Sequence, residues 1–306
     1  MLAAALVGVP VWLTNQYLVH LLILAGLFTI LAVSLNLLLG YTGQLSLGHA
    51  AFFGIGAYTS ALLDVHLGLS FWVGLPAAAV AAGLSGLLIG RLAFKLRGAY
   101  FVLVTISFAE VVRLVSLNWM ELTQGPLGLP GIRPPSIRLG TMASIPFHGK
   151  GAYYWLVLAL AALSYGIASR VVRSRIGRAF VALRENEALA ESVGVDAFRT
   201  LVLATVLAAA MAGAAGSCYA HYVSFVGTEV FLFSYTITMV IMVIAGGKGT
   251  LLGPVVGAVI FTAVPEVLRE AQQFQMTVYG AILILLVIFM PRGIVPYLKE
   301  RRAGAP

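Results

Sequence analysis

Residues 40–57 read Gly-Tyr-Thr-Gly-Gln-Leu-Ser-Leu-Gly-His-Ala-Ala-Phe-Phe-Gly-Ile-Gly-Ala, a polar, glycine-rich stretch between two apolar segments. The apolar run before it, residues 17–39, is long enough to cross a bilayer, for which about 20 residues suffice. Polar groups and irregular backbone at membrane depth persist only when they are packed in protein or line a wet cavity. The stretch therefore predicts part of a passage, and its candidate path and gate residues are Tyr41, Thr42, Gly43, Gln44, Ser46, Gly48 and His49.

The composition indicates a membrane protein. Of the 306 residues, 60% are hydrophobic and only 10% are charged, whereas a soluble domain carries about 25% charged residues. Long unbroken apolar runs, instead of alternating segments of about ten residues, argue against a transmembrane barrel. We therefore predict an all-α fold, a polytopic transmembrane helical bundle that forms one domain over residues 1–306.

Hydropathy predicts nine or ten membrane spans. Residues 1–13 are apolar but short, and they form either a tilted first span or an interfacial helix. The predicted spans that follow cover residues 17–39, 45–63, 71–90, 99–117, 152–169, 200–220, 233–245, 251–268 and 276–290. Between them lie a proline-containing segment, residues 118–150, which should be extended or turn-rich, and a charged, helix-prone segment, residues 170–199.

Lysine and arginine set the predicted orientation. If residues 91–98 are cytoplasmic, threading places residues 118–150 outside, residues 170–199 inside and the C-terminus inside. Fourteen of the 19 Lys and Arg residues then lie in inside segments. The other five are Arg113, Arg133, Arg138, Lys150 and Arg269. The net charge of +8 thus reflects orientation and does not indicate nucleic-acid binding. No Lys or Arg precedes the first apolar run, which argues against a cleaved signal peptide.

Small residues recur every fourth position in three places and predict close helix packing. These are Ser46, Ala50 and Gly54; Gly86 and Gly90; and Gly253 and Gly257. A second glycine-rich stretch, residues 245–254, also separates two predicted spans. This similarity hints at an internal repeat, as many transporters have.

No catalytic, cofactor or metal site can be assembled from the sequence. The five histidines are scattered, and the single cysteine, Cys218, lies in an apolar run. Lys248 does not belong to a phosphate-binding loop, because Gly249 stands where that motif needs Ser or Thr. If transport uses ATP, we expect the nucleotide to bind to another subunit.

Two acid–arginine pairs lie within predicted spans, where an ion-coupled carrier would hold its coupling groups. Glu110 precedes Arg113, and Glu266 precedes Arg269, in each case by three residues. Each pair therefore shares one helical face and can neutralise itself. We favour a structural role for both pairs over ion coupling.

The segment of residues 170–199 combines charges of both signs with apolar residues. Phe180, Leu183, Ala190 and Val193 can form an apolar stripe, which suits a short helix that docks into a groove on a partner. The alternative is a solvated cytoplasmic loop. That alternative explains the arginines, but it explains the apolar stripe less well.

Several motifs together carry a resemblance to a known family: residues 35–58, Gly177-Arg-Ala-Phe180, Arg184-Glu-Asn-Glu187, Gly194-Val-Asp196, residues 212–216 and residues 246–254. On these motifs the chain closely resembles the permeases of high-affinity branched-chain amino-acid ABC importers, specifically the LivM-type subunit. Residues 123–129 resemble the outside-loop motif of the family, with Gln124 where Gly is common.

The resemblance implies a multi-pass protein of the inner (plasma) membrane that pairs with a second, LivH-like permease. It also implies two cytoplasmic ATPases that hold ATP and Mg, and a periplasmic or lipid-anchored substrate-binding protein. The ATPase coupling residues carried over are Arg184, Glu185, Asn186, Glu187, Ala188, Ala190 and Gly194. The wider importer class has Glu-Ala-Ala-x3-Gly here, whereas this chain has Ala188-Leu-Ala190 and its Glu at position 187.

The expected function is ATP-driven import of leucine, isoleucine and valine. Related permeases that serve urea, short amides or aromatic acids leave the substrate open. The rival hypothesis is a channel or ion-coupled carrier that acts alone, with Glu110 or Glu266 essential. A membrane enzyme lacks any nucleophile or metal constellation.

Overall fold

The computed structural model describes residues 15–94, 99–139, 143–146, 149–267, 280, 284, 288–290 and 292–302. Helices dominate this part of the chain. In chain order the helices are α1 (Gln16–Asn36), α2 (His49–Leu67), α3 (Phe71–Ala93), α4 (Ala99–Asn118), α5 (Met120–Thr123), α6 (Lys150–Arg173), α7 (Arg175–Glu185), α8 (Glu187–Ser192), α9 (Ala197–Val223), α10 (Phe233–Gly247), α11 (Gly253–Val267) and α12 (Ile294–Arg302).

Six helices within the described residues are long and apolar enough to cross a membrane: α1 with the turn that extends it, α2, α3, α4, α6 and α9. Two shorter apolar helices, α10 and α11, add to the bundle. The predicted helical membrane fold is confirmed, but the count of nine or ten spans is not. Residues 1–13 and most of residues 276–290 lie outside the described part of the chain.

The centre of the bundle is formed by α2, α3 and α9, which pack most extensively on one another. Glycine permits this approach at several points. A Cβ at Gly56 of α2 would overlap the backbone of Gly213 on α9, and a Cβ at Gly86 of α3 would lie 2.7 Å from the Cβ of Ala209 on α9. Gly257 of α11 approaches the Met242 carbonyl of α10 in the same way. Glycines of two predicted seams, Gly86 and Gly257, thus lie at helix contacts within the chain.

The segment between α4 and α6 is extended and turn-rich, as predicted. A short strand β1 (Leu129–Pro130) pairs with β4 (Phe225–Val226), and β2 (Ser136–Leu139) pairs with β3 (Ala143–Pro146) in a hairpin. Gln124 adopts a left-handed conformation, with φ at 56°. Glycine adopts this conformation without steric cost, which gives a physical reason for the glycine that is common at this place in the family that the chain resembles.

An ion pair holds this segment against the bundle. The carboxylate of Asp64, at the end of α2, accepts hydrogen bonds from the Arg133 backbone N–H at 2.7 Å and from Arg133 Nε at 2.8 Å. The Arg133 carbonyl accepts from His221 Nδ1 at 2.6 Å. Because that ring nitrogen donates, Nε2 of the neutral ring is left to accept from the Ser60 hydroxyl at 2.9 Å. The segment is thereby tied to both α2 and α9.

Candidate gate and coupling site

The candidate gate begins with a change of helix type. The α-helical hydrogen bonding of α1 gives way to a π-helical turn at Leu37–Thr42, which places Tyr41 and Thr42 inside a helical element instead of a loop. Gly43 then ends the helix in a left-handed conformation, with φ at 74°. Irregular backbone occupies residues 43–48 before α2 starts at His49, four residues later than predicted. Single-turn π-helical segments occur frequently at functional sites.

Threonine side chains from two other helices accept hydrogen bonds from backbone N–H groups at the end of the irregular segment and the start of α2. The Leu47 N–H donates to Thr105 Oγ1 of α4 at 3.2 Å, and the Ala50 N–H donates to Thr236 Oγ1 of α10 at 3.0 Å. Gly48 lies so close to the Thr105 carbonyl that a Cβ at Gly48 would overlap it. Hydrogen bonds therefore connect the gate to α4 and α10, and a movement of either helix would displace it.

The polar side chains of the gate are buried, except that of Gln44. His49 Nε2 lies 2.8 Å from Ser34 Oγ, whose own hydrogen is donated to the Leu31 carbonyl at 2.7 Å. His49 must therefore donate through Nε2, which leaves Nδ1 as the accepting nitrogen of a neutral ring. Within the described residues, neither His49 Nδ1 nor Ser46 Oγ has a hydrogen-bond partner. Gln44 is half-buried.

Asn36 joins the two glycine-rich stretches and was not predicted as a site residue. Its side-chain nitrogen donates to the Thr250 carbonyl at 2.9 Å, and its Oδ1 accepts from the Gly249 N–H at 3.0 Å. A Cβ at Gly40 would lie 2.5 Å from the Gly249 nitrogen, so the two backbones touch. The signal in the sequence was a lone amide near the end of an apolar run, which costs free energy unless it is fully hydrogen-bonded.

The charged segment makes direct contact with the gate. Arg184 Nη1 of α7 donates to the Gly40 carbonyl at 2.7 Å, and the Arg184 side chain packs against Gly43. One turn earlier on the same helical face, the buried ring of Phe180 belongs to the apolar cluster that contains Leu37, Leu38 and Tyr41. Helix α7 is thus bound to the π-helical turn through one polar and one apolar contact.

The structure corrects the predicted coupling helix. Where one short docking helix was predicted within residues 170–199, two helices form, α7 and α8, because Asn186 is extended and its side chain caps α8 through the Leu189 N–H at 3.0 Å. Three of the four residues of the predicted docking stripe are not available to a partner. Phe180, Leu183 and Ala190 are buried against other helices of this chain, because an amphipathic face packs on the nearest apolar surface. Val193, the fourth residue of the stripe, is exposed, and so is Leu189 of α8.

The remaining residues carried over as coupling residues lie at the surface. Arg184, Glu185, Asn186, Glu187, Ala188 and Gly194 are exposed. Arg184 also forms an ion pair with Glu185 at 2.6 Å, so its guanidinium is held between that carboxylate and the gate. Gly194 has φ at 91°, which favours glycine, and a Cβ there would meet nothing within 4 Å.

The ion pair within α4 forms as predicted. Arg113 donates to Glu110 through Nε at 2.9 Å and through Nη2 at 2.6 Å. The Glu110 side chain is 54% exposed although it lies near the middle of a membrane-spanning helix. The second predicted pair falls partly outside the described residues, because Arg269 lies there. No group of three His, Cys, Asp or Glu in the described ranges could hold a metal ion.

These features together define a multi-pass membrane transport permease: long apolar helices, a break after the first span that side chains from other helices hold, and an amphipathic helix bound to that break. The model of the family described as "Branched-chain amino acid transport system / permease component" matches residues 17–290. The chain belongs to this family.

Relatives of this chain are named as permeases. It is 33% identical to the high-affinity branched-chain amino acid transport system permease protein LivM of Escherichia coli, over 98% of this chain and 75% of the relative. It is 24% identical to a probable LivM of Methanocaldococcus jannaschii, over 89% of this chain and 91% of the relative. It is 26% identical to LivH of Escherichia coli, over 89% of this chain and 92% of the relative. No solved structure matches the chain.

Proposed function

We propose that the chain is the permease subunit of an ATP-driven importer that moves leucine, isoleucine and valine across the inner membrane. A second, LivH-like permease completes the membrane passage, two cytoplasmic ATPases bind ATP and Mg, and a periplasmic or lipid-anchored protein delivers the substrate. The family match and the identity to LivM proteins support this proposal. The observation that carries the mechanism is the contact of α7 with the gate through Arg184 and Phe180.

The movement of the ATPases is transmitted to this chain through residues 170–199. When the ATPases close, they displace α8, whose exposed Leu189 and Val193 offer apolar contacts and whose Glu187 and Glu191 offer charged ones. Helices α7 and α8 are joined at Asn186 and share the chain's core through Leu183 and Ala190. A shift of α8 therefore moves α7, and α7 moves the Gly40 carbonyl and the turn that contains it.

The second permease covers the face of α4 that carries Glu110. Glu110 lies 11 residues after Ala99 and eight before Asn118, which corresponds to roughly 16 and 12 Å from the two ends of the helix. Charged groups at that depth face protein or a water-filled cavity, not lipid. We assign this face to the passage between the two permeases, where the bidentate pair with Arg113 supplies polarity without net charge.

Ser46 and His49 supply modest polar contacts to the substrate when the gate opens. Both side chains are buried in the described structure; within it the Ser46 hydroxyl has no hydrogen-bond partner, and His49 has none at Nδ1. A passage that held the amino acid tightly would slow its release. Selectivity therefore rests mainly with the substrate-binding protein, and the gate residues ease the passage of a polar solute.

Uptake by the reconstituted importer tests the coupling. We expect Arg184→Ala to lower uptake at least severalfold while ATP hydrolysis persists, because the link between α7 and Gly40 is lost. Arg178→Ala, an exposed arginine of the same helix outside this contact, is the matched control and should transport normally. Normal uptake by Arg184→Ala, or by a Leu189→Glu/Val193→Glu variant, would refute the coupling route.

The partner proteins and the substrate are tested separately. Uptake by this chain in vesicles without the ATPases would favour the stand-alone carrier. Ligand binding by the partner substrate-binding protein identifies the cargo. Preference of that protein for urea, short amides or aromatic acids would replace the branched-chain substrates without affecting the coupling mechanism.

A further inference from the structure

A cavity lies away from the gate, in a groove between α3 and α9. It has a volume of about 680 Å³, and the residues that line it include the small residues Ala79, Gly83 and Ala210. Its rims carry exposed apolar residues, with Leu84 61% and Leu203 38% exposed. The groove is therefore open to whatever surrounds this part of the bundle.

One end of the groove is cationic. Helices α3 and α9 run antiparallel, since Gly90 lies against Val202 and Gly213 lies against Ala78. Arg91, in the last turn of α3, and Arg199, in the first turn of α9, consequently meet at the same end. A second cavity of about 320 Å³ shares Arg199 and Leu203 with the groove and adds Arg175.

The charges at this end do not cancel. Asp196 is the acid among the residues that line the two cavities, and its Oδ2 lies 3.1 Å from Arg199 Nε. Against this single carboxylate stand Arg91, Arg175 and Arg199, which leaves an excess of two positive charges. The cavities thus combine a long apolar channel with a positively charged mouth.

The length of the groove matches one leaflet. Twelve residues separate Ala79 from Arg91, which corresponds to about 18 Å along a helix. One leaflet of the hydrocarbon core is about 15 Å deep. Acyl chains that enter beside Arg91 and Arg199 would therefore end near Ala79, while the phosphate stays at the level of the arginines.

We propose that this groove binds an anionic phospholipid, with its acyl chains between α3 and α9 and its phosphate beside Arg91, Arg175 and Arg199. Basic pockets between transmembrane helices are suited to anionic headgroups, and each arginine near the surface strengthens such binding. A zwitterionic lipid fills the same channel but does not match the excess positive charge. The lipid holds the start of α9 against the end of α3 and α7.

The test is lipid binding to the full-length chain in detergent, followed by native mass spectrometry. Phosphatidylglycerol and phosphatidylcholine with identical acyl chains are the probes, and inorganic phosphate is the competitor that represents the headgroup alone. We expect phosphatidylglycerol to bind preferentially and inorganic phosphate not to displace it. Equal binding of the two lipids, or displacement by phosphate at equal concentration, would overturn the proposal.

Two variants separate the charge from the channel. Arg91→Gln/Arg199→Gln should weaken phosphatidylglycerol binding by roughly tenfold or more, because two arginines near the surface are removed. The control Arg170→Gln/Arg173→Gln removes two exposed arginines outside the groove and should bind normally. Val206→Trp keeps every charge but fills the groove, and it should also lose the lipid.

Two results would contradict lipid binding in this groove. Unchanged preference for phosphatidylglycerol in both Arg91→Gln/Arg199→Gln and Val206→Trp would show that the lipid binds elsewhere. A cross-link from Val80→Cys to the second permease in the assembled importer would show that a protein covers the groove, and the proposal would be wrong.

Discussion

Asn36 connects the gate to the loop before α11 through two hydrogen bonds. Its amide supplies both a donor, to the Thr250 carbonyl, and an acceptor, for the Gly249 N–H. The residue is 2% exposed, so water cannot easily replace either bond. A buried amide that bridges two backbone segments fixes their relative position more strictly than apolar packing does, because hydrogen bonds are directional.

We predict that Asn36→Ala destabilises the chain by about 1–3 kcal/mol, since two half-buried backbone groups, the Gly249 N–H and the Thr250 carbonyl, lose their partner. The measurement is the free energy of unfolding in detergent, followed by circular dichroism. Asn118→Ala is the control, because the exposed Asn118 bonds only to its own helix. Equal stability of the two variants would mean that the bridge contributes nothing.

Asp64, near the end of α2, likewise ties two segments of the chain together. Its carboxylate is 4% exposed and accepts from both the backbone and the side chain of Arg133. We predict that Asp64→Ala lowers stability by about 2–3 kcal/mol, because bonds to a charged acceptor are lost. The measurement is a thermal melt together with hydrogen exchange at Leu129 and Ile132.

The Asp64 prediction has an internal control and a clear contrary result. Glu121→Ala removes an exposed acid from the same connecting segment and should have little effect. In a double-mutant cycle, Arg133→Ala should cost less in the Asp64→Ala background than in the parent chain. Strict additivity would show that the two residues do not stabilise each other.

At the level of helices, close approach depends on glycines that face a neighbour. Gly257 lies against the Met242 carbonyl, whereas a Cβ at Gly166 of α6 would meet nothing within 4 Å. We predict that Gly257→Ala destabilises by about 1–3 kcal/mol through overpacking. Gly166→Ala should be neutral or stabilising by up to about 1 kcal/mol, because alanine is the better helix former.

This pair of variants separates packing from helix propensity. Both replace glycine by alanine within an apolar helix, so a common effect of the substitution appears equally in both. Unfolding midpoints measured in one detergent are sufficient. If Gly257→Ala proves as stable as Gly166→Ala, then α10 and α11 are not in tight contact at that point.

The helices also show what the sequence could and could not predict. Apolar length located α1, α3 and α6 within a few residues, because crossing a bilayer demands it. The amphipathic pattern of α7 correctly predicted one apolar face, but pattern alone cannot say which surface that face covers. Phe180 and Leu183 were assigned to a partner, and they pack on this chain instead.

For the molecule as a whole, the unpredicted features are contacts between distant parts of the chain. Arg184 and Gly40 are separated by 144 residues, and Asn36 and Thr250 by 214. Local propensity and hydropathy contain no information on such pairs. The glycine-rich stretches were recognisable because irregular backbone is rare at membrane depth, but their meeting through one asparagine depends on how the helices assemble.

The orientation of the whole molecule remains a prediction that labelling can test. Because the inside segments hold fourteen of the 19 Lys and Arg, we expect residues 170–199 to lie in the cytoplasm and residues 118–150 outside. Cys218 is 1% exposed, so the parent chain should resist a membrane-impermeant maleimide and serve as the blank. In intact cells Glu121→Cys should react and Glu187→Cys should not, although both positions are exposed on the protein. After the cells are opened, both should react. Labelling of Glu187→Cys alone in intact cells would reverse the orientation and place α8 on the side opposite any cytoplasmic ATPase.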